Sequence, residues 1–293
     1  IRWIIGTVAG GGSDIIARTV AAQLGPQLNQ QIIVENRPGA GMSIAAEAVA
    51  KSPADGYTML TADVGVLVFN TALFKSLGYA PKRDFASVGM LARFPLLLVT
   101  HPGSGYDSAK AALDAMRAAP GKLSYASAGI GSPHHLAMEL LKDQARLEVT
   151  HISYKGAAPA IQDTMAGVVP FMVIDSASGT GPLKSGKLRG LATFTKARVP
   201  NFPDLPAFTE LGFQDFEAAA WQGVVMPAAT PPAIVEKMSG ELQKALSSAP
   251  VQTRFRDLGL EPLPSTAQQM TDQWLRDEKV WPPLIRARNI PLD

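Results

Sequence analysis

The stretch Thr7-Val-Ala-Gly-Gly-Gly-Ser-Asp14 follows an apolar strand, Ile1 to Ile5, and runs directly into an amphipathic helix. Glycines let backbone N–H groups turn toward a ligand with no Cβ in the way. The first turn of the next helix adds unpaired donors and the positive end of the helix dipole, so the stretch can hold an anion. Ile15, Ile16, Thr19, Val20 and Leu24 share one helical face while Arg18 and Gln23 lie off it, which predicts a helix over 14–24. No Lys-Ser/Thr follows the glycines, which excludes a P-loop, and Gly10-Gly-Gly12 lacks the dinucleotide spacing. Asp14 in the first turn partly neutralises the site, so a small carboxylate suits it better than a triphosphate. The plain alternative is a tight βα turn capped by Ser13.

Outward from this loop, strand and helix signals alternate, which reads as an α/β architecture with largely parallel sheets. Strands are expected at 2–5, 31–35, 57–61, 96–100, 123–126, 150–153, 169–174, 188–193 and 219–226. Helices are expected near 14–24, 43–51, 108–118, 133–144, 159–166 and 205–211. Beyond them 232–247, 251–258 and 266–286 read as helices with no strand between, the last kinked or ended by Pro282-Pro283. Pro/Gly breaks after Thr100 and around Trp221–Pro227 are where the chain is expected to pass between two lobes.

The 293 residues, 46% of them hydrophobic, suffice for two domains or one large α/β domain. The net charge of +2 comes from interspersed residues with no basic face, and aromatics are 7%, so no nucleic-acid partner is expected. Without cysteine there is no disulfide framework, thiolate nucleophile or Cys-ligated metal. No apolar run approaches the roughly 18 residues of a membrane span.

A second glycine-bearing loop, Ser127-Ala-Gly-Ile-Gly-Ser-Pro-His-His135, also closes a strand at a helix start, with Ser132 as N-cap and Pro133 in the first turn. It fails as a dinucleotide motif, because His134 stands where the third glycine belongs. It fails as a nucleophile elbow, because Tyr125 replaces the first glycine around Ser127. The histidines lack the His-Glu-x-x-His spacing and a clustered third ligand, so neither metal nor cofactor is expected. Further strand ends carry Asp63, Tyr154-Lys-Gly156 and Asp175-Ser176, and open α/β sheets place ligands at strand carboxyl ends. The candidate ligand-binding residues are therefore Val8, Ala9, Gly12, Ser13, Ala62, Asp63, Gly129, Gly131, Ser132, His134, Tyr154, Gly156, Ala157, Asp175 and Ser176. Ser132 can equally be a purely structural cap, and Trp221 either an aromatic surface for a ligand or a core residue.

With those loops in view the chain resembles the Bug family, the substrate-binding proteins of tripartite tricarboxylate transporters. The likeness runs through Gly10-Gly-Gly-Ser-Asp14, Val34-Glu-Asn-Arg-Pro-Gly-Ala-Gly41, Asp55-Gly-Tyr-Thr58, Pro120-Gly-Lys-Leu-Ser-Tyr-Ala-Ser127, Gly129-x-Gly-Ser132 with His135-Leu136, Tyr154-Lys-Gly156, Pro203-Asp-Leu-Pro206 and Trp221-Gln-Gly223. Each piece is weak, but in this order they are specific. The resemblance implies a type II periplasmic-binding-protein fold with a ligand cleft between two lobes: 1–100, then 101–221, with 222–293 returning to the first. It also implies a periplasmic monomer, any targeting peptide already removed, that works with membrane transporter subunits. Its carboxylate ligand (a dicarboxylate, an amino acid or an aromatic acid) would be held by backbone N–H groups and bridging waters. Where the family usually has Pro and an aromatic residue this chain has Gly6-Thr7, from which a roomier pocket is expected; Ser153 likewise stands in place of Pro. The alternatives are a ligand-sensing subunit, or a hydrolase or lyase using Ser132, His134 and a loop aspartate.

Overall fold

The computed structural model describes residues 1–10, 12–214 and 216–290. The strands are β1 (Arg2–Ile5), β2 (Ile33–Asn36), β3 (Thr58–Asp63), β4 (Phe85–Thr100), β5 (Ser124–Ser127), β6 (Thr150–Ser153), β7 (Phe171–Asp175), β8 (Arg189–Thr193), β9 (Ala219–Pro227) and β10 (Glu261–Pro262). The helices are α1 (Gly12–Leu28), α2 (Ser43–Ala50), α3 (Asn70–Leu73), α4 (Pro81–Asp84), α5 (Ala109–Ala118), α6 (Pro133–Ala145), α7 (Ala157–Met165), α8 (Ser176–Lys184), α9 (Pro232–Ser247), α10 (Ala249–Asp257) and α11 (Ala267–Ala287). The described chain forms two compact units, 1–93 with 221–290, and 94–220.

In the first unit the strands run β2-β1-β3-β9-β4, with β10 on the far side of β4. β1 is parallel to β2 and β3, whereas β9 is antiparallel to β3. Trp3, Ile4 and Ile5 are fully buried, and the Trp3 indole N–H donates to Thr61 Oγ1 at 2.8 Å, satisfying the one polar atom that this large side chain brings into the core. Helices α9 and α10 pack on α1, and α11 packs on the π-helical turn Gly65–Phe69, where Phe69 and Trp281 meet edge to face at 5.4 Å. Trp221 is buried, and its indole N–H donates to Asp277 at 2.6 Å, so it is a core residue and not a ligand surface.

In the second unit β4 lies between β7 and β8, antiparallel to both, and β5 is parallel to β6 and β7. Leu97, Val99, Ala126, Met172, Ile174 and Leu188 form its core. A separate aromatic cluster of Phe194, Phe208, Phe213 and Phe216 closes the end of β8.

Several expectations need correction. The sheets are mixed, because β4, β9 and β10 run against their neighbours. The expected strand 96–100 is only the end of the 16-residue β4, where Pro95 interrupts the apolar pattern that reads as strand on either side. The expected helix 205–211 is a 3₁₀ turn, Phe208–Leu211. Helix α8 was not expected from Ser-Ala-Ser-Gly-Thr-Gly-Pro-Leu-Lys; it forms because Asp175 caps it and Gly179 packs closely on Ile174. Two residues of strand, β10, interrupt the C-terminal helices. Helix α11 continues through Pro282-Pro283 to Ala287, its end held by burial of Trp281, Pro282, Leu284 and Ile285.

Gly89 is a close-approach position: a Cβ there would lie 2.8 Å from the Ser265 carbonyl oxygen, and Ser265 Oγ accepts the neighbouring Met90 N–H at 2.8 Å. A backbone carbonyl cannot swing aside as a side chain can. Gly89→Ala is therefore expected to destabilise the first unit by about 1–3 kcal/mol, read as a lower urea midpoint with an unchanged slope.

Candidate functional site

In the first unit, the carboxyl ends of β1 and β3 and the amino end of β9 meet at one sheet edge, since Ile5 pairs with Thr61 and Asp63 with Gln222. The β1–α1 loop lies there, and Val8, Ala9 and Gly12 are exposed; Gly11 lies outside the described residues. Asp14 organises the loop. It accepts the Gly10 N–H at 2.9 Å, Asn36 Nδ2 at 3.0 Å and the Arg18 guanidinium at 3.0 Å. The Arg18 hydrogen bond is the largest influence on the Asp14 carboxyl; with the help of Gly10 and Asn36 it outweighs burial and holds the group down at about 2. The Gly10 amide is thus already occupied. Ser13 is buried, and its Oγ accepts Gln222 Nε2 at 2.5 Å. Gln222 Oε1 and Thr7 Oγ1 are buried with no partner among the described residues. Ala62 is fully buried within β3 and offers no side chain to a ligand. Asp63 accepts the Val66 N–H at 2.8 Å, and burial pushes its carboxyl up to about 6.

The space beside Gly6 is filled. A Cβ on Gly6 would lie 2.3 Å from Met42 Cβ, because Met42, in a left-handed conformation at φ +66°, is packed against this glycine. At Gly6, where the family usually has Pro, the place of the missing ring atoms is taken by a side chain from the turn before α2.

In the second unit, the ends of the parallel strands β5, β6 and β7 bring three loops together. The Tyr154 N–H donates to Ser127 O and the Gly156 N–H to Ala128 O, both at 3.1 Å, tying the β6 loop to the β5 loop. His134 Nε2 is 3.4 Å from Asp175 Oδ2, tying the start of α6 to the end of β7. His134 Nδ1 is buried with no partner among the described residues. Ser132 caps α6, its Oγ accepting the His135 N–H at 3.3 Å and donating to Gly129 O at 2.7 Å. Gly129 (φ +148°) and Gly131 (φ +72°) take backbone conformations that favour glycine. Helix α7 starts at Ala157 after Gly156, with no side-chain cap, so its first-turn amides meet no capping side chain. Tyr154 is turned away, its hydroxyl donating to Asp163 at 2.7 Å. Asp175 accepts the Ser178 N–H at 2.8 Å and so caps α8, at whose start Ser176 is buried. Burial raises the Asp175 carboxyl, but His134 and Ser178 outweigh it and the group lies below the usual carboxylate range.

Beneath this loop lies a pair of histidines that the sequence reading did not place. His135 and His151 stack at 3.9 Å and 10°, and the Tyr125 ring lies near both, 4.9 Å from His151 and 6.5 Å from His135. His135 Nδ1 accepts the Gly131 N–H at 3.1 Å, and His151 Nε2 lies 2.7 Å from Ser127 Oγ. Two imidazoles therefore pin the two ends of the glycine loop. A cavity of about 430 Å³ in this unit, lined by Leu183, Lys184, Leu188, Arg189, Phe202 and Leu205 among others, touches none of these loops.

The family model for the tripartite tricarboxylate transporter family receptor matches residues 16–290. The chain is 34% identical to Protein BugT of Bordetella pertussis, over its whole length and 90% of that protein. The solved structure of R. palustris Rpa4515 with adipate superposes with a TM-score of 0.86 at 31% identity, covering 100% of this chain and 98% of that one. MatC from Rhodopseudomonas palustris with bound malate gives a TM-score of 0.82 at 28% identity, covering 97% and 98%.

The chain belongs to the Bug family of tripartite tricarboxylate transporter receptors. This receptor is a periplasmic solute-binding protein with the type II fold of two α/β lobes. Family and fold are those of binding proteins, not enzymes. The Ser132 hydroxyl is engaged in the structure of its own loop, donating to Gly129 O.

Gln222 and Thr7, at the same sheet end, were not singled out from the sequence, although a Gln inside the apolar run Ala-Ala-Trp-Gln-Gly-Val-Val is a polar group that a buried strand must satisfy. His151 gave no signal, since its partners lie on β5 and α6. Burial is the main reason that the His135 imidazole is pushed down to about 3 and His151 to about 4; the charges of His151 and Lys142 add to the first, while Glu139 partly opposes the second. Both rings ionise near 6.5 in an unfolded chain. As pH falls below that value the unfolded state takes up protons first, so the rings cost stability increasingly until they titrate in the folded state. Asp63, raised to about 6, works in the opposite sense: the folded state binds its proton first, adding stability as pH falls from about 6 toward the unfolded value of about 3.9. With two groups against one, the urea midpoint is expected to fall between pH 7 and pH 5. The fall should be smaller in His135→Asn, which keeps an acceptor for Gly131 but titrates nothing.

Proposed function

We propose that this receptor captures a small carboxylate and delivers it to the membrane subunits of its transporter. In the second unit the carboxylate would be bound chiefly by backbone N–H groups of loops 128–134 and 154–158, with Asp175 and Ser176 beside them. In the first unit, loops 8–14 and 62–66 supply the contacts. The observation that carries this reading is the convergence of two helix N-termini in the second unit. The α7 terminus has no side-chain cap, and the α6 terminus adjoins His134 Nδ1, which is buried with no partner among the described residues. Such termini combine unpaired donors with the positive end of a helix dipole. The relatives solved with adipate and with malate support the ligand class. Recognition through amides suits ligands that share a carboxylate and differ elsewhere, because each N–H reads the anionic group and not the rest of the molecule.

Isothermal titration with succinate, adipate, malate, citrate, glutamate, benzoate and terephthalate tests the class; saturable binding of at least one of them is expected. Tight binding of a neutral sugar, or of a cation lacking a carboxylate, would overturn it. Ser132→Ala is expected to weaken carboxylate binding by about 0.5–2 kcal/mol, the range for a lost cap or hydrogen bond. An unchanged affinity would mean that the Ser132 loop does not hold the ligand.

A further inference from the structure

We propose that Thr7, Asp63 and Gln222 form a subsite in the first unit that reads an ammonium group, so that the carboxylate captured by this protein is an amino acid and not an unsubstituted acid. The proposal rests on the small-carboxylate reading above and names the ligand more narrowly.

Two of the three side chains stand opposite each other on neighbouring strands, and the third follows the end of the next strand in the sheet. Asp63 is the last residue of β3 and pairs directly with Gln222 on β9, so both side chains project from the same face of the sheet. Thr7 lies two residues beyond Ile5, whose partner Thr61 is two residues before Asp63. Each of the three offers an oxygen. Gln222 is 9% exposed; with its Nε2 donating to Ser13, its Oε1 is left buried without a donor among the described residues. Thr7 Oγ1 is buried and likewise unpartnered. Asp63 accepts the Val66 amide, and no Lys, Arg or His pairs with it among the described residues.

A half-buried carboxylate with no counter-ion among the described residues, beside a buried, unmet carbonyl, is costly in an empty site. An ammonium carries three donors and a positive charge, and so matches three such oxygens in number and in sign. A hydroxyl offers one donor and no charge. The methylene of an unsubstituted acid offers neither, and a second carboxylate would meet like charge. Burial raises the Asp63 carboxyl, as expected of a group held ready for a cation that the chain does not itself supply. Asp14 does not play this part, because Arg18 already neutralises it.

The test compares each acid with its amino counterpart on the whole chain by calorimetry: succinate with aspartate, glutarate with glutamate, and butyrate with 2-aminobutyrate, with malate as the hydroxyl control. At least one amino acid is expected to bind ten-fold or more tightly than its unsubstituted partner, and more tightly than malate. Asp63→Asn retains an oxygen for the Val66 amide, and Gln222→Met retains volume. Each should abolish most of that preference by weakening the binding of the amino acid far more than that of its unsubstituted partner. Gln222→Met decides the matter should Asp63→Asn fold poorly. Unsubstituted acids that bind as tightly as their amino counterparts, or a preference that survives both substitutions, would overturn the ammonium subsite while leaving the carboxylate reading intact. Binding of no carboxylate, with or without an ammonium group, would overturn both.

Discussion

The first N–H groups of a helix have no acceptor within it, and wherever a strand of this protein releases its chain into a helix those groups must be satisfied at the sheet edge. The loops meet this need in different ways. Asp63 takes the Val66 amide and Asp175 takes the Ser178 amide, while Asp14, inside α1, takes the Gly10 amide of the loop that leads into the helix. At α7 the chain supplies only Gly156. Self-capping fixes the first three loops without a ligand, whereas an uncapped helix start at a loop edge is left for water or an anion. A βα architecture thus produces both the rigid loops and the vacant donors from one geometrical rule.

Rigidity around the second-unit loop comes from beneath. The stacked His135 and His151 are neutral at physiological pH, and each contributes a hydrogen bond to one end of the 127–131 segment. Neutral imidazole serves here because its ring nitrogen can accept a backbone N–H while the ring face packs against another ring. An apolar side chain would provide only the packing. The loop is therefore positioned before any ligand arrives, which lowers the ordering cost of binding. In the first unit the same preorganisation takes another form: Gln222 reaches Ser13, and Met42 is packed onto Gly6.

The elements that could be read from sequence share one property, which is that their pattern is local and uninterrupted. Helix α9 and strand β6 fall where periodicity places them, and α5, α6 and α11 lie within a residue or so of it. Helix α8 carries two glycines and a proline in nine residues, so its propensity opposes the structure that capping and packing impose. Strand β4 is broken in sequence by Pro95, yet it continues in space. The family was legible because its many short motifs retain their order along almost the entire chain, and the family model spans the same region. The strand-end loops were legible as glycine-, serine- and aspartate-bearing breaks; which of their polar atoms are occupied was not.

By itself, then, the sequence determined the alternation of strands and helices, the family and the positions of the loops at strand ends, because each is encoded in neighbouring residues or in motif order. Only the tertiary structure decided that the Gly10 amide is already occupied, that Met42 fills the place beside Gly6, that His151 supports a loop on another strand, and that Gln222 turns toward Ser13, 209 positions away along the chain. Hydrogen bonds and van der Waals contacts act over a few ångströms of space whatever the separation in sequence. The register that brings Asp63 opposite Gln222 is set by the packing of the whole sheet and not by either residue's neighbours.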